Sequence, residues 1–166
     1  FDALTVLDNL MLGRYVHSRV GVMNGGFFTR SAVKDELKQR EVVERIIDLL
    51  EIAAYRNEAV GELPYGVRKR LELGRALAQE PHLLLLDEPM TGQNLEEKQD
   101  MVRFIADVRA ELGTTMLLIE HDMGVVMSIA ERVIVLNFGE MIGIGTPEEV
   151  QANPEVIAAY LGTGTD

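Results

Sequence analysis

The first half of the chain carries its apolar residues mainly at helical spacing. A short helix is predicted over Thr5–Leu12, because Thr5 suits an N-cap and apolar residues follow it with a helical period. A long amphipathic helix is predicted after Ser31, and another over about Val67–Gln79. Between the first two helices, glycines predict an irregular connection at Val20–Ser31, in which the Phe27–Phe28 pair is expected to pack against a neighbour. The buried stripe of the long helix is predicted to be Val43, Ile46, Ile47 and Leu50.

The pattern changes after Pro81, where short unbroken apolar runs replace the helical period. Leu83–Leu86 is typical of a strand buried on both faces, and Thr115–Ile119 is a second run of the same kind. The segment between them has a helical stripe and ends at Gly113, which is suited to a C-cap. Strand, helix and strand in this order predict a right-handed β–α–β unit in a parallel sheet.

The last third of the chain alternates short helices and short strands. Met123 begins a predicted helix in which the methionines are interpreted as core residues rather than as a binding surface. Val133–Leu136 and Met141–Ile144 predict a hairpin that closes the sheet, with Gly139 in its turn. Two short helices are predicted in the tail over Pro147–Leu161.

Composition narrows the class of protein. At 166 residues and 47% hydrophobic content, the chain can bury the core of one or two compact units. The net charge of −11 argues against a nucleic-acid partner, because it would repel the phosphate backbone. Apolar runs fall far short of the roughly 20 residues that cross a bilayer, so any membrane role is expected to be peripheral. The absence of cysteine fits a reducing compartment, with the cytosol as the default.

The beginning of the sequence suggests a longer protein. Phe1–Val6 has no basic stretch followed by an apolar core, so it does not resemble a signal peptide. The sequence also lacks an initiating Met. We therefore expect the chain to start inside a longer one.

Two adjacent carboxylates follow the first predicted strand. Asp87 and Glu88 stand where open α/β sheets bind ligands, at the carboxyl end of the strand. Because side chains alternate in direction along extended backbone, Asp87 can face a Mg²⁺ ion while Glu88 faces an attacking water. The alternative is that the two acids only cap the segment that follows.

Two further segments carry candidate functional residues, His121 and Pro64–Val67. His121 follows the second predicted strand and is expected beside the acids, where a neutral imidazole could hydrogen-bond a phosphate oxygen or the attacking water. A lone His is more often structural, but the matching strand-end position favours function. Pro64–Val67 precedes a predicted helix whose free N–H groups suit a terminal phosphate, although any helix-preceding turn would look similar.

These elements, in this order, resemble the ABC ATPase family, and the resemblance runs from Leu4 to Leu161. Within that family, the sequence is most similar to the ATP-binding subunits of branched-chain amino acid importers. These subunits combine a Tyr-Gly signature, a Gly-x-Asn D-loop and a Glu-His-Asp-Met switch. The tail residues Gly145–Val150 and Asn153–Gly162 also look like that subfamily. The motifs stand here as Tyr65-Gly66, Gly92-Gln93-Asn94 and Glu120-His121-Asp122-Met123.

The resemblance implies an α/β fold that comprises the C-terminal part of a P-loop NTPase parallel-sheet core and the ABC helical subdomain. The implied division is a helical subdomain with the signature at 1–80, a core part with the Walker B strand, D-loop and switch at 81–146, and a helical tail at 147–166. Implied ligands are ATP and Mg²⁺.

The resemblance also assigns roles to residues. Asp87 would support Mg²⁺, Glu88 would position or activate the hydrolytic water, and His121 would sense the γ-phosphate. The signature would serve ATP held by the other subunit, and the D-loop completes the nucleotide-binding set. These nucleotide-binding residues are Pro64, Tyr65, Gly66, Val67, Gly92, Gln93 and Asn94.

The sequence departs from the family pattern at the signature, and we expect it to be a fragment that lacks the Walker A region with the phosphate-binding loop. Pro64 replaces the usual Ser, Tyr65 the first Gly and Val67 the usual Gln, so one hydroxyl donor to phosphate is lost. No Lys follows a Gly anywhere in the 166 residues, so no Gly-rich phosphate loop can be found. We therefore expect the chain by itself to bind ATP weakly and to hydrolyse it negligibly.

The leading hypothesis is an energy-coupling ATPase subunit of an importer for, by resemblance, branched-chain amino acids. It would pair with a second ABC ATPase subunit, identical or not, and dock on integral membrane permease subunits at the cytoplasmic face of the membrane. One alternative is a non-catalytic ABC half that binds a partner without turnover. An ABC ATPase of DNA repair is disfavoured, because long heptad arms and a basic surface are absent.

Overall fold

The computed structural model describes residues 1–17 and 30–162, which form parts of two compact units, Phe1–Leu118 and Ile119–Asp166. The elements up to residue 119 are α1 (Val6–Gly13), α2 (Arg30–Leu49), α3 (Tyr65–Leu77), β1 (Leu83–Asp87), α4 (Leu95–Leu112) and β2 (Thr115–Ile119). The remaining elements are α5 (Met123–Ile129), β3 (Val133–Asn137), β4 (Glu140–Gly145), α6 (Pro147–Gln151) and α7 (Pro154–Gly162). Three short 3₁₀ helices lie at Arg14–His17, Ala53–Tyr55 and Val60–Glu62.

The predicted helices of the first unit are confirmed. Thr5 caps α1 by accepting a hydrogen bond from the Asp8 N–H at 3.1 Å. Helix α3 begins at Tyr65, two residues earlier than predicted, because Pro64 occupies the N-cap with the backbone that a cap requires. The predicted irregular connection at Val20–Ser31, with its Phe pair, falls outside the described residues except for its last two, which begin α2.

The first three helices pack closely against one another around Gly74. This glycine of α3 leaves no room for a methyl group: a Cβ placed on it would lie 2.9 Å from Leu50 Cδ1 and 3.0 Å from Leu10 Cδ2. Leu10 belongs to α1 and Leu50 follows α2, so the contact joins all three helices. The predicted stripe of the long helix lies in this core, with Val43, Ile46, Ile47 and Leu50 all buried.

A buried arginine ties the end of α1 to the middle of α2 and to the end of α3. Arg14 is only 3% exposed, and its guanidinium donates to Gln39 Oε1 at 2.8 Å and to the Ala78 carbonyl at 2.8 Å. Its Nη1 also lies 2.8 Å from the Glu80 carboxylate. The hydrogen bond from Arg14 lowers the pKa of Glu80, and burial opposes this shift.

Strands β1 and β2 are neighbours in a two-stranded sheet and are connected by α4, so the predicted β–α–β unit with parallel strands is confirmed. The prediction that β1 is buried on both faces is wrong for the residues described. Leu84 and Leu86 are buried, whereas Leu83 and Leu85 are 53% and 65% exposed. Because side chains alternate across a strand, one face of β1 packs on the core and no described residue covers the other.

The second unit is built around the β3–β4 hairpin and a small valine cluster. The strands pair antiparallel from Val133↔Gly145 to Asn137↔Glu140, and Phe138 and Gly139 take positive φ in the turn, as primed hairpin turns require. The prediction that this hairpin closes the sheet of β1 and β2 is wrong for the residues described. Strands β3 and β4 pair only with each other there and form a separate sheet. Its core consists of Val133, Val150 and Val156, with Val126, Met127 and Ala130 packed against them.

Two further sequence predictions concern membrane-spanning segments and the division of the chain into functional parts. No described helix combines the length and the apolar character needed to span a bilayer. The predicted functional division at 1–80, 81–146 and 147–166 concerns roles rather than packing, so it stays a prediction beside the observed packing boundary after Leu118.

Candidate functional site

The carboxyl end of β1 presents two exposed acids on a sharply turned backbone. Asp87 is the last residue of the strand and shares the uncovered face with Leu83 and Leu85. Glu88 follows with φ of +43°, a left-handed conformation that costs a non-glycine residue about 1–2 kcal/mol. This strained residue follows the strand and turns the chain, and the different directions expected for the two carboxylates stay a prediction.

A short turn after the strand holds the Glu88 side chain. The Thr91 hydroxyl donates a hydrogen bond to Glu88 Oε2 at 2.9 Å, and the Thr91 N–H donates to the Glu88 carbonyl at 3.1 Å. Met90, between them, is 1% exposed and anchors the turn in the core. An exposed carboxylate is thus held by a hydrogen bond instead of by burial.

The signature segment contacts this turn directly. Helix α3 begins at Tyr65, and the Tyr65 hydroxyl donates to the Thr91 carbonyl at 2.8 Å. The N-cap, Pro64, makes no side-chain hydrogen bond to the helix start. The first N–H groups of α3 therefore have no side-chain acceptor from their own cap, as an anion-binding helix start requires.

The residues predicted as a D-loop lie against the same tyrosine. Gly92 has φ of +78°, and a Cβ placed on it would lie 3.0 Å from the Tyr65 hydroxyl oxygen. Asn94 caps α4 in a capping box with Glu97, each accepting from the other's backbone N–H at 2.9–3.0 Å. The sequence separates signature and D-loop by more than twenty residues, and the fold brings them into contact.

Gly66 completes the contact between the two segments. It is buried, and a Cβ placed on it would lie only 2.6 Å from Glu97 Oε1. Any side chain at this position would displace the carboxylate that closes the capping box. Glycine at the signature thus lets the start of α3 pack against the Glu97 side chain at the start of α4.

A cleft of about 170 Å³ opens between these segments. Gln93 is 9% exposed, and within the described part of the chain its Oε1 has no hydrogen-bond partner. A buried amide oxygen without a partner is costly and is typical of a site that receives another group. The cleft is lined by Tyr55, Pro64, Gly66, Val67, Arg70, Gln93, Glu97, Asp100 and Met101.

A lysine lies beside the signature tyrosine. Lys69 Nζ lies 5.7 Å from the centroid of the Tyr65 ring and 3.1 Å from Glu72 Oε2. Burial works to lower the pKa of Lys69, but the hydrogen bond and charge of Glu72, together with Tyr65, outweigh burial and the pKa is raised. The side chain is therefore a stable positive charge beside the start of α3.

The donor set fits MgATP. Among residues 1–17 and 30–162, no three acidic or His side chains cluster to bind a metal ion by themselves. Mg²⁺ does not need such a cluster in a nucleotide site, because it is commonly held by one or two carboxylates together with phosphates and waters. An exposed Asp87 is compatible with that mode.

His121 belongs to the second unit. It precedes α5, whose N-cap Asp122 accepts from the Val125 N–H at 3.3 Å. The His121 side chain is 73% exposed, and its Nδ1 lies 3.9 Å from the Glu120 carboxylate. Its expected position beside Asp87 and Glu88 stays a prediction.

Two residues of the site were missed by the sequence analysis. Thr91 stands three residues after Glu88, the spacing of a local side-chain turn, and could have been found from that spacing. Glu97 stands three residues after Asn94, and this Asn-x-x-Glu pattern is the signature of a capping box. The unpartnered amide of Gln93 has no sequence signal, because it depends on how the cleft closes.

Comparison with known families gives two matches. The family described as "ABC transporter" matches residues 1–91, more than half of the chain. The family described as "Branched-chain amino acid ATP-binding cassette transporter" matches residues 140–166. The resemblance drawn from the signature, D-loop and switch motifs is confirmed by these matches.

Curated relatives carry related names. The chain is 37% identical over 162 residues to the high-affinity branched-chain amino acid transport ATP-binding protein BraF of Pseudomonas aeruginosa. It is 39% identical over 165 residues to the protein of the same description, LivG, of Salmonella typhimurium. Each match covers 98% of this chain and 64% of the relative, so the chain spans just under two thirds of their length.

Solved structures agree with the fold. The ADP conformation of MJ1267, an ATP-binding cassette of an ABC transporter, superposes with a TM-score of 0.76 at 29% identity and covers 97% of this chain. A nucleotide-free ATP-binding cassette from an ABC transporter gives a TM-score of 0.74 at 28% identity and covers 96%. The chain covers 64% and 63% of those structures, and the predicted α/β fold class is confirmed.

Proposed function

The chain belongs to the ABC transporter family, and on that basis we propose that it works within the ATP-binding and ATP-hydrolysing subunit of an importer. The names of BraF and LivG point to branched-chain amino acids as the cargo. The observation that supports the proposal most is the convergence of three motifs in one unit: the acids at the end of β1, the signature at the start of α3, and the D-loop before α4.

In this proposal each acid has its own task. Bound MgATP supplies the phosphoryl group that is transferred to water. Asp87, exposed at the end of β1, contributes a carboxylate to Mg²⁺. Glu88 positions or activates the attacking water, and His121 senses the γ-phosphate. The hydrogen bond from Thr91 to Glu88 supports this assignment, because a catalytic carboxylate must be held in one direction.

The signature and the D-loop are proposed to serve nucleotide across a subunit interface. Pro64 to Val67 and Gly92 to Asn94 would meet ATP held by a second ABC ATPase subunit, identical or different. The start of α3, whose cap supplies no side-chain acceptor, and the unpartnered Gln93 oxygen support that assignment. Integral membrane permease subunits are the proposed docking partners, which places the protein peripherally at the cytoplasmic face of the membrane.

The 166 residues by themselves are expected to bind MgATP weakly. The lysines are Lys34, Lys38, Lys69 and Lys98, and none follows a glycine-rich loop. Without a lysine-bearing nest, the β- and γ-phosphates lack their strongest ligands. Equilibrium binding of MgATP to the 166-residue polypeptide tests this point, and micromolar affinity would contradict it.

The proposal is tested by reconstitution. The full-length protein, assembled with its permease subunits in proteoliposomes, should hydrolyse MgATP and drive uptake of labelled leucine. Labelled spermidine serves as the control cargo, because a polyamine shares neither the charge nor the shape of leucine. Hydrolysis with leucine uptake supports the proposal, whereas hydrolysis with uptake of spermidine alone would contradict branched-chain amino acids as the cargo.

A second function is favoured by one observation. Pro64 contributes no N–H and no hydroxyl at the position where the family usually carries Ser, which weakens phosphate binding at the signature. A non-catalytic ABC half that binds a partner subunit would tolerate this change. Assembly with the permease in the absence of any MgATP hydrolysis would establish that alternative.

A further inference from the structure

Thr91 joins two segments that are far apart in the sequence. Its hydroxyl donates to Glu88 Oε2 at 2.9 Å, while its carbonyl accepts from the Tyr65 hydroxyl at 2.8 Å. Its N–H donates to the Glu88 carbonyl at 3.1 Å. One residue therefore holds both the main chain and the side chain of Glu88 and is itself held by the first residue of α3.

The geometry of the turn makes these bonds important. Glu88 and Gly92 both have positive φ, at +43° and +78°, so the segment between them has an uncommon backbone. Glu88 and Thr91 are both exposed, and burial therefore does not select the direction of the carboxylate. The Thr91 hydroxyl bond contributes to that selection, and the Tyr65 bond holds the peptide that carries Thr91.

We propose that Tyr65 and Thr91 are positioning residues for Glu88, and that they couple the signature at the start of α3 to the carboxylate at the end of β1. The proposal rests on the proposed function, in which Glu88 acts on the hydrolytic water. A ligand that engages the start of α3 then acts on the orientation of Glu88 through two hydrogen bonds. The signature tyrosine thereby gains a role within its own chain, besides any contact across an interface.

The first test removes the hydroxyl of Thr91. In the full-length protein assembled with its permease, Thr91→Val should lower kcat for MgATP about tenfold and leave KM within about twofold, because a bond to a charged group is lost without a change in nucleotide binding. Thr91→Ser keeps the hydroxyl and should restore kcat. Equal kcat for the Val and Ser variants would overturn the proposal.

The second test removes the hydroxyl of Tyr65. Tyr65→Phe should lower kcat about threefold with KM unchanged, a smaller effect because the bond reaches Glu88 only through Thr91. Tyr15→Phe is the matched control, since Tyr15 is 78% exposed on the 3₁₀ helix at Arg14–His17. Equal kcat for the Tyr65 and Tyr15 variants would overturn the coupling to the signature.

A third measurement separates this inference from the proposed function. In a Glu88→Gln background, Thr91→Val should cause no further fall in residual turnover, because Thr91 acts only through the carboxylate. A further fall would overturn the positioning role. If Glu88→Gln itself retained full turnover, the proposed function would fail first. If Glu88→Gln stopped turnover while Thr91→Val left it unchanged, only the positioning role would fail.

Discussion

The helical core around Gly74 and the loop from Glu88 to Asn94 are built on opposite principles. In the core, Leu10 and Leu50 are fully buried, and the Arg14 guanidinium is satisfied by several acceptors. In the loop, Glu88 and Gly92 take positive φ, and hydrogen bonds between exposed groups link Thr91 to Glu88 and to Tyr65. The difference indicates that substitutions in the core should change stability, whereas substitutions in the loop should change turnover.

The largest stability effect is expected from Leu10→Ala in the helical core. Leu10 is completely buried against α3, so its truncation should leave a cavity and lower the free energy of unfolding by about 2–5 kcal/mol. Leu12→Ala on the same helix, at a side chain 44% exposed, should cost below about 1 kcal/mol. Denaturant unfolding of the full-length protein measures both changes. Equal losses of unfolding free energy for the two variants would contradict the role given to the buried core.

A smaller and different effect is expected from Gly92→Ala in the loop. Alanine at φ of +78° should cost about 1–2 kcal/mol, and its Cβ should push the Tyr65 hydroxyl away from Thr91. Gly113→Ala, at φ of +62° with no atom within 4 Å of the new Cβ, should cost the same strain. Only Gly92→Ala should also lower kcat, and a similar fall in kcat for Gly113→Ala would contradict the account.

The helical core was largely predictable from the sequence, because burial on one face of a helix imposes a 3.6-residue period that a chain displays directly. The stripe of Val43, Ile46 and Ile47 is the example, and all three are buried. The exposure of Leu83 and Leu85 was not predictable in this way. A run of four leucines looks the same whether one face of the strand is covered or both.

The positions of the acids and motifs in the fold were predictable from the sequence, but the hydrogen bonds between them were not. Asp87 and Glu88 stand at the strand end where the pattern placed them. The hydrogen bonds of Thr91 depend on the positive φ of Glu88, and a non-glycine residue gives no sequence signal for that conformation. The predicted role of His121 depends on how the second unit is placed during turnover, which local sequence does not encode.

The smallest effect on stability is expected when a change of pH alters the charge of Glu80, at the edge of the helical core. Because Arg14 lowers the pKa of Glu80 below its usual 4.5, the pair should stabilise the fold above that pH and lose its effect as pH falls through the lowered value. The Glu80 side chain is 53% exposed, so the contribution should stay below about 1 kcal/mol. Unfolding measured at pH 7 and pH 3 should show a smaller difference for Glu80→Gln than for the native protein.

The central claim is that the loop after β1 serves turnover and the helices serve stability, and Glu88→Gln tests it most directly. In the full-length protein assembled with its permease, kcat for MgATP and the free energy of unfolding are measured on the same preparation. We predict that kcat falls by at least about 100-fold, that nucleotide binding is kept, and that the free energy of unfolding changes by less than about 0.5 kcal/mol. Undiminished turnover, or a loss of turnover that follows a loss of stability, would contradict the account.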